Sequence, residues 1–159
     1  MYEKFGEFAS VEELNEAAAG FKAEGDFESL KALAEENGIT ALDAQDYIED
    51  CVPTLATITS ASYARINLET REQKNNAPGI FMAISDSLSN MLPDAELEEQ
   101  IMSKGKRIQD IYDAFVDMAK KKGSGWGCSG TSRQLEKIIR AYYKDGKEEA
   151  AKVIEELYG

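Results

Sequence analysis

The chain contains no histidine, and it has only two cysteines and three prolines among 159 residues. Histidine is the most common general base and metal ligand of proteins, so its absence excludes Ser-His and Cys-His catalytic arrangements. Cys51 and Cys128 are too few for a disulfide framework, and their spacing matches no zinc site. The pairs of neighbouring carboxylates have neither catalytic nor calcium-binding spacing. We therefore predict a protein that is not an enzyme and needs no metal or cofactor.

Long apolar runs are also missing from the sequence. No segment approaches the roughly 18 to 20 apolar residues that a membrane-spanning helix needs. The first residues, Met1 to Phe5, have neither the basic head nor the apolar core of a signal peptide. The scarcity of cysteine is typical of a reducing compartment. These absences predict a soluble cytoplasmic protein that has no contact with membranes.

Acidic residues are abundant and unevenly distributed. The formal net charge is −12. Residues 1–52 contain 14 acidic and 3 basic residues, whereas residues 104–159 contain 9 acidic and 12 basic residues. The first part therefore has a net charge of −11 and the last part a net charge of +3. This asymmetry predicts an electrical dipole with an acidic N-terminal part and a mildly basic C-terminal part.

The apolar residues recur at helical spacing along most of the chain. We predict an all-α fold, an irregular bundle of about eight short amphipathic helices that forms a single domain over residues 1–159. Helix starts are predicted at Ser10, which forms a capping box with Glu13, and at Asp26 and Thr40. Helix ends are predicted at Gly25, at Asn37-Gly38 and at Pro53.

The apolar faces of the early helices follow from the same spacing. Phe27 is expected to share the buried face of the second helix, and Leu42 and Cys51 are expected to line the third. Residues 53–70 are predicted to be helical, despite several β-branched residues, because their apolar positions are three and four residues apart. The rest of the chain is assigned to helices that begin near Pro78, Pro93 and Lys106, and to two final helices separated by the Asp145-Gly146 turn.

The acidic helices are the first candidate for a binding surface. One reading is a solubility surface, and the other is a contact that competes with nucleic acid for a basic groove of a partner. Residues 29–49 have the apolar spacing and central turn of a helix-turn-helix motif. The second helix, however, is too acidic to approach DNA, so we expect a plain helical hairpin. The predicted acidic face consists of Glu35, Glu36, Asp43, Asp46, Glu49 and Asp50.

The basic C-terminal part is a second candidate. Its cations could bind single-stranded nucleic acid together with Trp126, could contact the acidic half of this chain or of a second copy, or could simply be solvated. Lys120, Lys121 and Lys122 end a predicted helix, where cations also stabilise the helix dipole. With Trp126 they form a possible secondary contact. The other cations considered for this candidate surface are Lys104, Lys106, Arg107, Arg133, Lys137, Arg140 and Lys144.

A glycine-rich loop over residues 123–130 has the outline of a phosphate-binding loop. Thr131 stands where such a loop requires lysine, and a predicted helix precedes the loop where a strand is needed. We therefore expect a connector in which Trp126 anchors the packing, rather than a nucleotide site.

Parts of the sequence resemble proteins of phages and conjugative elements. The segments that carry the likeness at the N-terminus are Met1-Tyr-Glu-Lys-Phe-Gly-Glu-Phe8, Ser10-Val-Glu-Glu-Leu-Asn15, and Glu24-Gly-Asp-Phe through Ala44-Gln-Asp-Tyr-Ile-Glu-Asp50. The stretch from Lys104 to Tyr143, with its Lys120-Lys121-Lys122 run and Gly127-Cys128 turn, resembles the PcfK-like family.

The resemblance implies a mobile-element protein that acts in the cytoplasm of a bacterial host. Some members of the PcfK-like family are anti-CRISPR proteins that block type II RNA-guided nucleases. It therefore implies a non-enzymatic inhibitor whose acidic surface mimics nucleic acid and binds a basic protein or nuclease. A homodimer is a further hypothesis, which rests on the charge asymmetry: the basic part of one copy would contact the acidic half of the other. The alternative is an accessory protein of a phage or plasmid that binds nucleic acid through its basic C-terminal helices.

Overall fold

The computed structural model describes residues 1–73, 77–123 and 130–159. Within these ranges the chain forms nine α-helices and no β-strand. The all-α prediction is confirmed, but the described residues form nine helices rather than about eight. The helices are α1 Val11–Glu24, α2 Phe27–Glu36, α3 Ala41–Ile48, α4 Ile58–Glu72, α5 Gly79–Asn90, α6 Ala95–Met102, α7 Ile108–Lys122, α8 Ser132–Asp145 and α9 Lys147–Tyr158.

The predicted helix starts are confirmed by their capping hydrogen bonds. The side chains of Asp26 and Thr40 each accept a hydrogen bond from the backbone N–H three residues later, at 3.1 Å. Ser10 accepts one from the N–H of Glu13 at 3.2 Å. The Glu13 carboxylate, however, accepts from the N–H of Ala9 and not from that of Ser10. The bond from the Glu13 side chain back to the backbone therefore goes to the residue before the N-cap, and not to the N-cap itself as the predicted capping box requires.

Glycines end α1 and α2 as predicted. Gly25 and Gly38 have φ angles of +71° and +73°, in the left-handed region that glycine enters without steric cost. Gly38 also lies close to α4. A Cβ atom at Gly38 would lie 2.8 Å from the carbonyl oxygen of Ala64 and 2.8 Å from Cγ of Leu68. The turn between α2 and α3 is thus packed directly on α4.

The third helix is shorter than predicted. It ends at Ile48 and not near Pro53, because Asp50 has a φ of +61° and turns the chain away from the helix axis. Cys51 lies beyond the helix and is exposed. Leu42 was also placed wrongly on the buried face, since 71% of its surface is exposed and α3 buries Ala44 and Tyr47 instead.

Two further helix predictions need correction. The helix predicted over residues 53–70 begins only at Ile58, where Thr57 and Ser60 form a reciprocal capping box. Residues 53–57 belong to the connection between α3 and α4. Phe27, expected on the buried face of α2, is the first residue of that helix and is 42% exposed.

The helices enclose two apolar clusters. The N-terminal core consists of Val11, Leu14, Ala18, Leu30, Leu33, Ala34, Ile39, Ala44, Tyr47, Leu55, Ala56, Ala61, Ala64 and Met102. The C-terminal core consists of Ile66, Phe81, Ile84, Leu88, Leu92, Leu97, Ile101, Ile108, Ile111, Ala114, Phe115, Met118, Ile138, Ile139, Tyr142, Tyr143, Ala150, Val153 and Ile154. Helices α4 and α6 contribute side chains to both cores. None of the helices in the described part of the chain is long and apolar enough to cross a membrane.

Candidate acidic binding surface

The six acidic residues predicted to form a binding face lie at the end of α2, along α3 and just after α3. Glu35, Asp43, Glu49 and Asp50 are exposed, and Glu36 and Asp46 are partly exposed. Helices α2 and α3 pack on each other, so this acidic surface belongs to one part of the molecule. The structure therefore leaves most of these carboxylates accessible to solvent.

Four of these carboxylates also accept hydrogen bonds within the chain, and one of them is Glu49, which accepts from the side-chain amide of Gln45 at 2.6 Å. Glu36 accepts hydrogen bonds from the backbone N–H groups of Lys4 and Phe5, at 2.5 and 2.8 Å. Asp50 forms an ion pair with Lys22 at 2.5 Å. Asp43 accepts a hydrogen bond from the hydroxyl of Thr40 at 2.6 Å. Glu36 and Asp50 are thus engaged by the N-terminal segment and by Lys22, so these two carboxylates are poor sites for a test of binding.

The basic C-terminal part does not neutralise the acidic surface. In the described ranges, no lysine or arginine of residues 104–159 forms an ion pair with any of the six carboxylates. Those cations pair with carboxylates elsewhere, as in Arg140 with Asp94 at 3.0 Å and Lys121 with Glu155 at 2.9 Å. The field of the acidic surface therefore remains directed toward solvent.

An apolar groove lies beside the acidic surface. It is bounded by α3, by the connection between α3 and α4, and by the first turns of α4, and it has a volume of about 460 Å³. Its lining includes the buried side chains of Ile39, Leu55 and Ala64, together with the carboxylates of Asp43 and Asp46. We call this cavity the α3–α4 groove. An open apolar cavity with carboxylates in its lining favours ligands that are both apolar and cationic.

A second groove lies on the other side of the start of α3. It has a volume of about 610 Å³, and its lining includes Glu28, Lys31, Glu35 and Ile39. We call it the α2–α3 groove. Ile39 is in the lining of both grooves, so the two cavities lie near each other.

Leu42 lies within the acidic surface. Positions 42, 46 and 49 are separated by four and three residues, so Leu42, Asp46 and Glu49 share one face of the chain at α3. The exposed leucine places an apolar side chain among acidic ones. Apolar residues surrounded by polar ones are typical of the centre of protein–protein interfaces.

The basic candidate surface is partly occupied by the protein itself. Arg133, Lys137, Arg140 and Lys144 are exposed along α8 as predicted. Of these, Lys137 and Arg140 lie near carboxylates of the chain, with Lys137 4.0 Å from Glu156. Such exposed pairs are weak, but they reduce the positive field that a phosphate backbone would meet.

The possible secondary contact is described only in part. Lys120, Lys121 and Lys122 form the last turn of α7 as predicted, and Lys122 donates a hydrogen bond to the carbonyl oxygen of Gly159 at 3.2 Å. Trp126, Cys128 and most of the predicted glycine-rich loop lie outside the described residues. In the ranges that the structure covers, no three cysteine or carboxylate side chains are grouped closely enough to hold a metal ion.

A buried ionic cluster between the two cores was not predicted from the sequence. Arg65, only 4% exposed, donates hydrogen bonds to the carbonyl oxygens of Ile101, Ser103 and Phe8 at 2.9 to 3.2 Å. Glu7 lies 3.6 Å from Arg65. The periodicity of α4 held a signal, because Arg65 falls on the same face as its buried apolar residues.

Glu69 is the most perturbed carboxyl group of this cluster. Burial raises its pKa to about 7, although Ile108 donates a backbone hydrogen bond to Oε2 and Arg107 lies 3.9 Å from Oε1. The Oε1 atom accepts no hydrogen bond from the described residues, and neither does the buried hydroxyl of Tyr2. None of these side chains lines the α3–α4 groove. Burial and, within the described ranges, the lack of a hydrogen bond to Oε1 thus both disfavour the ionised form of Glu69.

Tyr142 extends the cluster toward α7. Its hydroxyl donates a hydrogen bond to Asp110 at 2.5 Å and accepts one from the backbone N–H of Arg107 at 2.8 Å. Burial, together with the hydrogen bond to Asp110, raises the pKa of Tyr142 above its usual value. Tyr142 is thus a neutral hydrogen-bonding partner that fixes the start of α7.

Comparison with known protein families, with curated proteins and with solved structures finds no match to this chain, so the resemblance to the PcfK-like family remains a prediction from the sequence.

Proposed function

We propose that the protein is a non-enzymatic binding protein that docks its acidic surface on a basic surface of another protein. The observation that carries this proposal is the exposure of the carboxylates on α2 and α3 without ion pairs to the basic C-terminal part. Complementary charge increases the rate of encounter and excludes partners of the wrong sign. A basic groove that normally holds nucleic acid is the surface that best complements such a field.

The first partner to test is a type II RNA-guided nuclease, as the sequence resemblance implies. In this proposal the acidic surface occupies part of the basic channel and prevents nucleic acid from entering. The protein then acts as an inhibitor of the anti-CRISPR type and needs no chemistry of its own. The exposed Leu42 would add apolar contact at the centre of the interface.

The test is cleavage of target DNA by several guide-loaded type II nucleases at increasing concentrations of the protein. We expect inhibition that saturates near a stoichiometric ratio and weakens as salt is added, because the encounter is electrostatic. Full cleavage at a large molar excess, with every nuclease tried, would reject the nuclease as partner.

A matched pair of variants tests the surface itself. The binding variant combines Glu35→Lys, Asp46→Lys and Glu49→Lys, which avoid the carboxylates engaged by Lys22 and by the N-terminal backbone. The control variant combines Asp86→Lys, Glu99→Lys and Asp117→Lys, which are exposed on α5, α6 and α7 and change the net charge equally. Inhibition should be lost only in the binding variant. Equal loss in both would show that net charge, not this surface, is responsible.

A further inference from the structure

The two neighbouring grooves beside α3 combine apolar walls with acidic rims. The α3–α4 groove is walled by Val52 and Tyr63, which are 38% and 36% exposed, and it ends on the buried Leu55. Asp43 and Asp46 stand in its lining without an ion-pair partner among the described residues. An apolar wall exposed beside unpaired carboxylates is a surface that a ligand can both desolvate and neutralise.

The chemistry of the groove limits what can occupy it. Phosphates and acidic peptides are repelled by the carboxylates, and a simple metal cation gains nothing from the apolar walls. An apolar side chain would lose contact with water in the groove, and a neighbouring lysine or arginine would meet Asp43 or Asp46 in a partly desolvated site. The volume of about 460 Å³ lies within the range of ligand sites, about 300 to 1,000 Å³.

The proximity of the two grooves favours a polypeptide over a small molecule. Ile39 is in the lining of both cavities, so a polypeptide with one side chain in the α3–α4 groove has the α2–α3 groove within reach. There Glu28 and Glu35 again supply negative charge, with Lys31 as the one cation in that lining. An extended segment with alternating apolar and cationic side chains would therefore place apolar groups in the grooves and cations beside the carboxylates.

We propose that the grooves beside α3 bind a cationic, apolar segment of the partner protein, with one apolar side chain in the α3–α4 groove and flanking lysine or arginine side chains on Asp43 and Asp46. This inference rests on the proposed function of the acidic surface and names the part of the partner that the surface recognises. Charge then steers the encounter, and the apolar side chain fixes the register of the segment.

The fold itself supports a preformed site. Gly38 packs so closely on Ala64 and Leu68 that a Cβ atom would have no room. The start of α3 therefore cannot move toward α4 to close the groove. On the other wall, Thr57 and Ser60 fix the first turn of α4 through their reciprocal hydrogen bonds at 3.0 and 3.1 Å. A segment would therefore enter a groove that already exists, and it would lose less binding free energy to ordering of the protein.

The test is fluorescence anisotropy of the full chain with three short labelled peptides of equal length. One alternates lysine and leucine, one alternates lysine and serine, and one alternates glutamate and leucine. We expect the lysine–leucine peptide to bind at least tenfold more tightly than either of the other two. A tenfold ratio of dissociation constants corresponds to a difference of about 1.4 kcal/mol in binding free energy. If the lysine–serine peptide binds as tightly, the attraction is purely electrostatic and the groove proposal is wrong.

Two variants localise the binding. Asn67 is exposed on α4 in the lining of the α3–α4 groove, and Asn90 is exposed at the end of α5. Asn67→Trp should fill the groove without changing the charge and weaken binding of the lysine–leucine peptide by about tenfold or more. Asn90→Trp adds the same side chain elsewhere and should leave the affinity unchanged. Circular dichroism of both variants verifies that the helices are intact.

The outcomes separate this inference from the proposed function. If the binding variant loses nuclease inhibition but Asn67→Trp changes neither inhibition nor peptide affinity, the groove proposal is overturned and the acidic surface stands. If the lysine–leucine peptide binds and Asn67→Trp weakens it while no nuclease is inhibited, the groove proposal is supported and only the nuclease is rejected as partner.

Discussion

Arg107 donates hydrogen bonds from Nη1 and Nη2 to the two carboxylate oxygens of Glu7, at 2.8 and 3.0 Å, across 100 residues of sequence. Burial opposes the ionisation of Glu7, but these bonds and the backbone N–H of Gly105 outweigh it, and the pKa of Glu7 lies below its usual value. The pair attaches the N-terminal segment before α1 to the start of α7. The two halves of the chain are therefore connected by charge as well as by apolar packing.

The first prediction concerns this pair. Glu7→Ala leaves the largely buried guanidinium of Arg107 without its bidentate partner, so we expect a loss of about 3 kcal/mol in the free energy of unfolding. The exposed pair of Lys121 and Glu155 is the comparison, and Lys121→Ala should cost less than about 1 kcal/mol. Urea denaturation at pH 7 measures both. Similar losses for the two variants would contradict the structural role of Glu7.

The second prediction concerns the dependence of stability on pH. Burial raises the pKa of Glu69 from 4.5 to about 7, so the folded protein holds this proton over a range in which the unfolded chain has lost it. The contribution of Glu69 to stability is therefore complete below pH 4.5 and declines as the pH rises toward 7. The difference across this range is about 3 kcal/mol.

Glu69→Gln removes this titration and keeps the shape of the side chain. The variant should match the parent protein near pH 4 and exceed its stability at pH 8, which urea denaturation at a series of pH values would measure. The titratable and charged groups that act on Glu69 are Arg65, Arg107, Asp110, Tyr2, Tyr142 and Tyr143, and all of them remain in the variant. Parallel pH profiles of the two proteins would show that the pKa of Glu69 is the same in the folded and the unfolded chain.

The third prediction compares two glycines with similar backbone angles. Gly25 and Gly38 both have positive φ, but a Cβ at Gly25 meets no atom within 4 Å, whereas one at Gly38 meets Ala64 and Leu68. Gly25→Ala should cost about 1 kcal/mol for the left-handed conformation alone. Gly38→Ala should cost at least about 2 kcal/mol more, because α3 must move away from α4. Equal costs, measured by urea denaturation, would mean that the turn has room to relax.

The fourth prediction concerns cooperativity between the two cores. Leu30 lies in the N-terminal core and Ile154 in the C-terminal core, and both are fully buried. Leu30→Ala and Ile154→Ala should each cost about 2 to 5 kcal/mol and shift one common thermal transition. Calorimetric and van't Hoff enthalpies should agree, as expected for a two-state protein. Two separate transitions would show that Arg65 and Arg107 do not couple the cores.

The parts of the fold that were predicted correctly depend on local interactions. The caps at Asp26 and Thr40 and the left-handed turns at Gly25 and Gly38 involve residues only a few positions apart, so their signals are complete in the sequence. The six acidic residues were grouped from the sequence because they lie close together along α2, α3 and the residues just after α3, and their role as a binding surface stays a prediction. Periodicity alone did not place Leu42, since a helix of eight residues can pack on more than one of its faces.

The parts that were missed depend on contacts between distant residues. Arg65 donates a hydrogen bond to the carbonyl oxygen of Phe8, which is 57 residues away in the sequence. No local sequence pattern predicts a partner at that distance. The α3–α4 groove was hidden for a different reason. It requires a non-helical connection near residues 53–57, where the apolar spacing predicted a helix that would have closed the space.

The bond between Glu36 and the first residues has a consequence for how strongly the molecule attracts cations. While Lys4 and Phe5 donate their N–H groups to this carboxylate, the N-terminal segment shields one charge of the acidic surface. Trimming of the chain upstream of Ser10 would unmask Glu36 and would also release Arg65 and Arg107 from Glu7. Proteolysis at this end would thus strengthen the local field while loosening the scaffold that displays it.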